Sequence, residues 1–256
     1  MIKEEAKFHS STVFEGMTSI RAIIDNLKAN KPDARRILRL LFDRTRMQIR
    51  IKELHYLQKM GELFDFSVEL VGPDIIEMYT LGTSHGGIIA LCSERSYDFL
   101  NESHIKENGF YVMIEGIEDP YNFGYALRSI YASGADGIVL SMRNWMHAAG
   151  VVCRSSAGAS ERLDAYIADD NFIDLFKSKG YKIVCADMDN SVSVYEADLK
   201  KPLFLIVGGE KRGISRNIIK QADQIIRIDY GRDFDAALSA ASAATILSFE
   251  VFRNNK

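Results

Sequence analysis

Cysteine is scarce in this chain of 256 residues. Its three cysteines, Cys92, Cys153 and Cys185, stand far apart, and no Cys-x-x-Cys pair occurs. The spacing therefore predicts neither a zinc site nor a disulfide framework, and we expect no bound metal. A reducing, cytoplasmic environment is the simplest interpretation.

Long apolar runs are also missing. No run approaches the roughly 18 apolar residues that a membrane-spanning helix requires, and the stretch MIKEEAKFHSSTVFEG (1–16) lacks the apolar core of a signal peptide. The composition, 47% hydrophobic and 26% charged, is that of an ordinary globular protein. We therefore expect no membrane partner, and either one large domain or two smaller ones.

An excess of positive charge is absent as well, since the formal net charge is −3. This argues against a general nucleic-acid coat protein, which is usually basic. The charge is unevenly spread, however, because residues 28–52 contain nine Lys or Arg and only two Asp. Screening limits surface fields to about 8–10 Å, so a local basic face can bind phosphate on an acidic protein. The alternative is a solvated helix and strand edge.

The chain divides into two halves with different patterns. Residues 1–93 predict a small α/β module, with a helix that ends at Gly61 and strands within 35–45, 66–72 and 85–93. Residues 94–109 are polar and predict a linker. Residues 110–256 alternate apolar runs with helical patterns and end in an Ala-rich helix, which is typical of a parallel α/β sheet. The predicted strands of this half lie within 110–117, 137–141, 182–188, 203–209 and 224–229.

Three stretches of the second half each follow a predicted strand. In DPYNFGYALRS (119–129), Asn122, Gly124 and Arg128 stand at a strand-to-helix turn. A helix cap followed by a solvated arginine explains them, and so does a site. In LIVGGEKRGIS (205–215), Gly208 and Gly209 would let a ligand approach the backbone, although such a turn alone more often serves packing. Its glycine spacing matches neither a dinucleotide fingerprint nor a phosphate loop.

The third stretch, IRIDYGRDFDAALSAAS (226–242), leads from a strand into a helix of small residues. Together and in this order, the three stretches resemble the three motifs of the SpoU (TrmH-like) RNA ribose methyltransferases of the SPOUT superfamily. The resemblance covers residues 105–256 and includes SGADGIVLSMRNW (133–145) and CRSSAGASERL (153–163). In the first half, VFEGMTSIRAII (13–24) and HGGIIA (85–90) resemble the start and end of the ribosomal-protein-like substrate-binding domain of many ribosomal RNA members.

The resemblance implies a fold that periodicity cannot reveal. It implies a SPOUT-type catalytic domain over 110–256, with a parallel sheet and a deep trefoil knot, an exception to the rule that protein chains are unknotted. A small α/β substrate-binding domain over 1–93 would precede it. The resemblance also implies a homodimer with the site near the interface.

The implied cofactor is S-adenosyl-L-methionine, bound largely by backbone groups. By position, its contacts fall on Gly208, Ile228 and Leu238, and we add Gly209 from the same turn. RNA is the implied substrate, so we assign RNA contacts to the basic stretch, at Arg35, Arg36 and Arg39.

The implied reaction transfers a methyl group to a ribose 2′-hydroxyl, and Asn122, Arg128 and Glu210 match the family's polar site residues. By resemblance, Arg128 helps to deprotonate or polarise the hydroxyl, which is a poor nucleophile until its proton is drawn away. Asn122 would position neighbouring groups and Glu210 would orient the site. The alternatives are an N-cap asparagine, a surface arginine and a glutamate favoured by a helix dipole.

The third motif departs from the family pattern. Where the family usually has Ser-Leu-Asn, this chain has Ala237, Leu238 and Ser239, and Asp229 replaces the usual proline. We include Ser239 among the catalytic residues because its hydroxyl can still donate a hydrogen bond.

The resulting prediction is an S-adenosylmethionine-dependent RNA 2′-O-ribose methyltransferase that acts on ribosomal RNA, with 23S ribosomal RNA as the expected partner. The altered third motif keeps open a second class, a non-catalytic RNA-binding or ribosome-assembly protein of the same fold. A base methyltransferase fits less well, because Asn122 and Arg128 follow the ribose-methylating pattern.

Overall fold

The computed structural model of the chain describes residues 12–80, 85–141 and 148–256. Two stretches discussed above lie partly outside the described residues. They are the N-terminal stretch, at residues 1–11, and the family segment after the first motif, at residues 142–147. The described residues form two compact units. Unit 1 comprises the described residues of 1–96 and 144–162, and unit 2 comprises those of 97–143 and 163–256.

Eleven strands occur in the described chain, four in unit 1 and seven in unit 2. They are β1 (Val13–Glu15), β2 (Ile37–Asp43), β3 (Ser67–Val71), β4 (Ile88–Cys92), β5 (Phe110–Glu115), β6 (Gly137–Leu140), β7 (Ala165–Ile167), β8 (Lys182–Ala186), β9 (Val192–Ser193), β10 (Leu203–Gly208) and β11 (Gln224–Arg227). All the strands predicted above are present, whereas the short strands β1, β7 and β9 were not predicted as strands.

Nine α-helices occur in the same residues, with short 3-10 turns at Arg44–Arg46 and Glu102–His104. They are α1 (Gly16–Lys28), α2 (Ile51–Phe64), α3 (Pro73–Tyr79), α4 (Pro120–Ala132), α5 (Ala149–Ser155), α6 (Ala159–Arg162), α7 (Phe172–Ser178), α8 (Arg216–Ile219) and α9 (Ala240–Asn254).

The sheet of unit 1 has the order β1-β4-β2-β3. Strands β2 and β3 run parallel, and β4 is antiparallel to both β1 and β2. Apolar side chains of this sheet, of α1 and of α2 form one core, which also includes Ala149 and Cys153 of α5. Residues 148–162, predicted as part of the catalytic domain, therefore pack in unit 1.

Helix α2 continues past its predicted end at Gly61 and closes at Phe64, where Asp65 takes a left-handed conformation with φ 56°. Gly61 lies inside the helix. Glycine is needed at this position because a Cβ atom would come within 2.6 Å of the Phe66 carbonyl oxygen. The glycine thus marks a close approach of the returning chain, and the helix end falls three residues later.

The sheet of unit 2 is parallel throughout and has the order β7-β6-β5-β10-β8-β11-β9. Strand β10 lies between β5 and β8, with Leu203 opposite both Phe110 and Lys182. Its apolar run is buried on both faces, as expected for a central parallel strand. Phe204 stacks on Phe176 of α7, with ring centroids 4.1 Å apart.

Residues 94–109, predicted as a linker, contain the crossing between the units but are packed rather than loose. Arg95 pairs with Asp33 in unit 1. Leu100 and Ile105 are buried in the core of unit 2. Because the segment is mainly polar, its sequence did not indicate that these two apolar side chains pack in the core of unit 2.

Candidate functional site

A cleft of about 250 Å³ opens in unit 2 at the carboxyl ends of β8, β10 and β11. Parallel sheets bind ligands at this edge. The lining residues are Ala186, Asp187, Met188, Val207, Gly208, Gly209, Glu210, Gly213, Ile226, Arg227, Ile228, Tyr230, Ala237, Leu238, Ala243 and Leu247. The four residues predicted to contact a cofactor, Gly208, Gly209, Ile228 and Leu238, all lie among them.

The two glycines of the second motif pack backbone against backbone. A Cβ atom at Gly208 would lie 2.7 Å from the carbonyl carbon of Gly213, and one at Gly209 would overlap the carbonyl group of Gly116. The expectation that they make room for a ligand is therefore corrected. Glycine is required here because the turn folds onto itself and onto the end of β5, and this packing shapes the cleft wall.

Glu115, the last residue of β5, holds the same turn in place. Its carbonyl oxygen accepts a hydrogen bond from the Gly209 amide, at 2.6 Å. Its carboxylate accepts one from the Ser215 amide, at 2.8 Å. Both ends of the turn formed by residues 209–215 are thus fixed to the strand that precedes the first motif.

Asn122 and Glu210 meet in the structure. The Asn122 side-chain amide donates to the Glu210 carboxylate, with 3.2 Å between Nδ2 and Oε1. Asp119 caps α4 by accepting from the Asn122 backbone amide at 2.7 Å, and Pro120 occupies the first turn. Because Asp119 serves as the cap, the Asn122 side chain is available to the site.

Arg128 lies apart from this pair. It is exposed on α4 and has no hydrogen-bond or ion-pair partner among the described residues. Six residues along a helix correspond to about 9 Å of rise and about 240° of rotation. Arg128 and Asn122 therefore occupy different faces of α4.

Ser239 is the N-cap of α9. Its hydroxyl accepts a hydrogen bond from the Ser242 amide at 3.2 Å and lies 3.0 Å from the Ser242 hydroxyl. It does not belong to the described cleft lining, whereas its neighbours Ala237 and Leu238 do. The structure thus gives Ser239 a capping contact, which typically contributes about 1 kcal/mol.

The segment after β11 is braced by polar contacts. Asp229 forms an ion pair with Arg227, with 2.9 Å between Oδ1 and Nε. A hydrogen bond from Ser193 and the nearby Arg227 guanidinium lower the pKa of Asp229 below its ordinary value. Further along, the Tyr230 hydroxyl accepts a hydrogen bond from the Leu238 amide at 3.2 Å.

Sequence reasoning missed Asp187, Met188 and Tyr230 among the lining residues. Asp187 directly follows β8, and its carboxylate accepts from the Met188 amide at 2.6 Å. The rule that ligands bind at the carboxyl ends of parallel strands would have indicated the first two residues. Tyr230 lies within the third motif, but no residue-type pattern distinguished it.

The three arginines predicted to bind RNA have different environments in unit 1. Arg35 is only 3% exposed and pairs with Glu161 at 3.1 Å, so it is a core residue and its RNA assignment is wrong. Arg39 is exposed but donates two hydrogen bonds to Glu69, at 2.8 and 2.7 Å. The Arg36 side chain is exposed.

Two kinds of feature are absent from the described residues. No group of three or more His, Cys, Asp or Glu side chains there could hold a metal ion. No described helix is both long and apolar enough to span a membrane.

The parallel sheet and the cleft at its carboxyl edge define unit 2 as an α/β ligand-binding domain. A family model, the SpoU rRNA Methylase family, matches residues 109–249, which is more than half of the chain. The chain belongs to this family.

Relatives and solved structures agree with this assignment. A protein of Staphylococcus saprophyticus assigned to the TrmH family of tRNA/rRNA methyltransferases is 33% identical over 144 residues, which span 56% of this chain and 57% of the relative. An RNA 2′-O ribose methyltransferase structure superposes with a TM-score of 0.76 at 21% identity, covering 94% of this chain and 88% of the other. An AdoMet-bound rRNA methyltransferase of Sinorhizobium meliloti has a TM-score of 0.77 at 22% identity, covering 94% and 87%.

Proposed function

We propose that the protein transfers a methyl group from S-adenosylmethionine to a ribose 2′-hydroxyl of RNA. The observation that carries the proposal is the hydrogen bond between Asn122 and Glu210. It joins the first motif to Glu210, which lines a cleft that is also formed by the end of β8 and by the third motif. The similarity to an RNA 2′-O ribose methyltransferase structure supports the choice of reaction.

The cleft residues fit S-adenosylmethionine, the ligand of the similar Sinorhizobium meliloti structure. Leu238, Leu247 and Met188 supply apolar walls, and the strand ends supply backbone groups. Asp187 and Glu210 place carboxylates in the lining, which suits a positively charged ligand. When bound, the cofactor supplies the activated methyl group on its sulfonium.

In this proposal, the polar residues act on the ribose. Glu210 holds the Asn122 amide in one orientation, so the amide can position the ribose or its phosphate through its remaining donor and acceptor. Arg128 stabilises the alkoxide that develops as the 2′-hydroxyl passes its proton to a nearby phosphate or to solvent, because a guanidinium stays charged at neutral pH.

In a homodimer, Arg128 of one subunit could reach the cleft of the other subunit. Five aromatic side chains on α4 and α9 are between 40% and 51% exposed: Tyr121, Tyr125, Tyr131, Phe249 and Phe252. The two helices pack together, with Thr245 Oγ1 2.7 Å from Ser129 Oγ. An apolar face of this kind is typical of a protein interface. We propose that a second copy covers it and that Arg128 of one subunit serves the cleft of the other.

The substrate part of the proposal rests on unit 1. We propose that this unit binds ribosomal RNA, with 23S RNA as the expected target, and that Arg36 and other exposed cations of residues 28–52 contact phosphates. The proposal also includes the trefoil knot, the cytoplasmic location, and the division into a substrate-binding domain over 1–93 and a catalytic domain over 110–256, except that residues 148–162 pack in unit 1.

A second candidate is an RNA-binding protein without turnover. Ala237 has no hydroxyl, and the Ser239 hydroxyl is engaged as a helix cap. These two observations favour weak catalysis, and the intact Asn122–Glu210 pair favours activity.

The deciding experiment maps ribose methylation across the RNA of cells with and without the protein. We expect one or more ribosomal RNA nucleotides to lose a 2′-O-methyl group when the protein is absent. Tritiated methyl transfer to that unmodified RNA by the purified protein would then establish the activity. An unchanged methylation map, with no transfer to any RNA tested, would favour the second candidate.

A further inference from the structure

Tyr230 forms part of the cleft wall immediately after β11. Its ring meets Phe234 edge to face, with centroids 5.9 Å apart. Its hydroxyl accepts a hydrogen bond from the Leu238 amide at 3.2 Å. One side chain thus closes the loop between β11 and α9, and it fixes the backbone of another lining residue.

The hydrogen-bonding state of this hydroxyl differs from that of two buried tyrosines in the same unit. A tyrosine hydroxyl can accept and also donate one hydrogen bond. Tyr111 accepts from the Lys106 amide at 3.2 Å and donates to the His104 carbonyl at 2.7 Å.

Tyr181 likewise accepts from the Gly109 amide at 2.9 Å and donates to the Lys106 carbonyl at 2.6 Å. Tyr230 accepts from Leu238, but its hydroxyl proton has no acceptor among the described residues. A half-buried hydroxyl that accepts from the protein and lines a cleft has its donor available for a ligand.

We propose that Tyr230 is a cofactor-binding residue, whose hydroxyl donates a hydrogen bond to S-adenosylmethionine while it holds the Leu238 backbone in the cleft wall. This inference rests on the cofactor assigned under the proposed function. The ligand offers several acceptors, namely its carboxylate, its ribose oxygens and its ring nitrogens. The sulfonium and the methyl group accept no hydrogen bond, so the contact serves affinity rather than reactivity.

The test is Tyr230→Phe in the full chain, with binding of S-adenosylhomocysteine measured by calorimetry. Phenylalanine keeps the ring and its packing on Phe234, and it removes the hydroxyl together with its contact to the Leu238 amide. We expect affinity to fall roughly fivefold, the effect of losing one hydrogen bond of ordinary strength. Tyr181→Phe is the matched control, because it removes a hydroxyl at the opposite edge of the same sheet, and it should leave affinity unchanged.

A second readout separates binding from general damage. In methyl transfer, Tyr230→Phe should raise the KM for S-adenosylmethionine and leave kcat near the wild-type value, because the contact is made equally in the ground and transition states. Equal affinities of wild type and Tyr230→Phe would overturn the inference, and so would an equal loss in Tyr181→Phe. A wild-type protein that binds no S-adenosylhomocysteine would instead overturn the proposed cofactor, and this inference with it.

Discussion

The Arg35 guanidinium and the Glu161 carboxylate form an ion pair of 3.1 Å, although 126 positions separate the two residues. Each side chain is only 3% exposed. Arg35 also donates to the Ser93 carbonyl at 3.1 Å, and Asn26 donates to the Glu161 carbonyl at 2.5 Å. The pair therefore ties the late segment of unit 1 to its sheet.

Glu161→Ala should destabilise unit 1 by about 3–5 kcal/mol, because it leaves the Arg35 charge buried without its partner. The measurement is urea unfolding of the full chain. Glu69→Ala is the matched control, since it breaks the ion pair of Arg39 at the surface. Exposed pairs contribute little, so the control should unfold close to wild type. Equal midpoints for the two variants would contradict the assignment of Arg35 to the core.

Gly208→Ala should destabilise unit 2 by about 1–3 kcal/mol, because the added methyl group overlaps the Gly213 backbone. Gly231 offers the control, since a Cβ atom there would meet nothing within 4 Å. Gly231→Ala should unfold like wild type in thermal denaturation. If Gly208→Ala kept full stability and lost only ligand binding, the glycine would be making room for a ligand after all.

Mixing two inactive variants tests whether Arg128 serves the partner's cleft. Arg128→Ala and Glu210→Ala should each abolish methyl transfer as homodimers. After unfolding and refolding together, they should regain about a quarter of wild-type activity, since half of the dimers would contain one intact site. If Arg128 and Glu210 act within one chain, every mixed dimer has two broken sites and no activity returns.

The environment of His85 predicts that the stability of unit 1 depends on pH. Burial is the main cause that lowers the pKa of this histidine below its ordinary 6.5, and Nδ1 accepts from the Gly87 amide at 3.0 Å. The folded state therefore favours the neutral ring. Its contribution to stability is complete above the unfolded pKa and is lost as the pH falls through the lower, folded pKa.

We expect the stability difference between wild type and His85→Asn to shrink from about pH 7.5 to about pH 5.5. Asparagine can accept the same hydrogen bond but does not titrate, so other ionisable groups cancel in the comparison. A difference that is constant with pH would show that His85 does not titrate differently in the folded and unfolded states.

The sequence predicted the parallel sheet of unit 2 from local signals, whereas the cofactor contacts at Gly208, Ile228 and Leu238 were assigned from the family resemblance and lie in the cleft lining. Continuous apolar runs mark buried strands, and the three motifs follow strands whose ends meet at one edge. The register that brings Asn122 to Glu210 depends on β10 lying between β5 and β8. Such a long-range pairing leaves no periodic signal, so the contact itself was not predictable from the residues.

Several interpretations of the sequence were wrong, each for a physical reason. Arg35 belongs to a basic stretch, and only the tertiary partner Glu161 reveals that it is buried. Gly208 and Gly209 carry the residue type that a ligand turn would need, but close packing needs the same type. Residues 94–109 were predicted as a linker from their polarity, and two apolar side chains were enough to anchor their second half.

The discontinuity of unit 1 also has a consequence for biosynthesis. Its first segment leaves the ribosome as far as Ser96 well before Glu161 exists. At about 5–20 residues per second, translating residues 97–162 takes roughly 3 to 13 s. During this interval the nascent chain has Arg35 without its counter-ion and lacks the helices that complete the core. The first segment of unit 1 therefore cannot complete its core until the second segment has been synthesised. A translational pause before residue 162 would prolong the exposure of the first segment to chaperones and proteases.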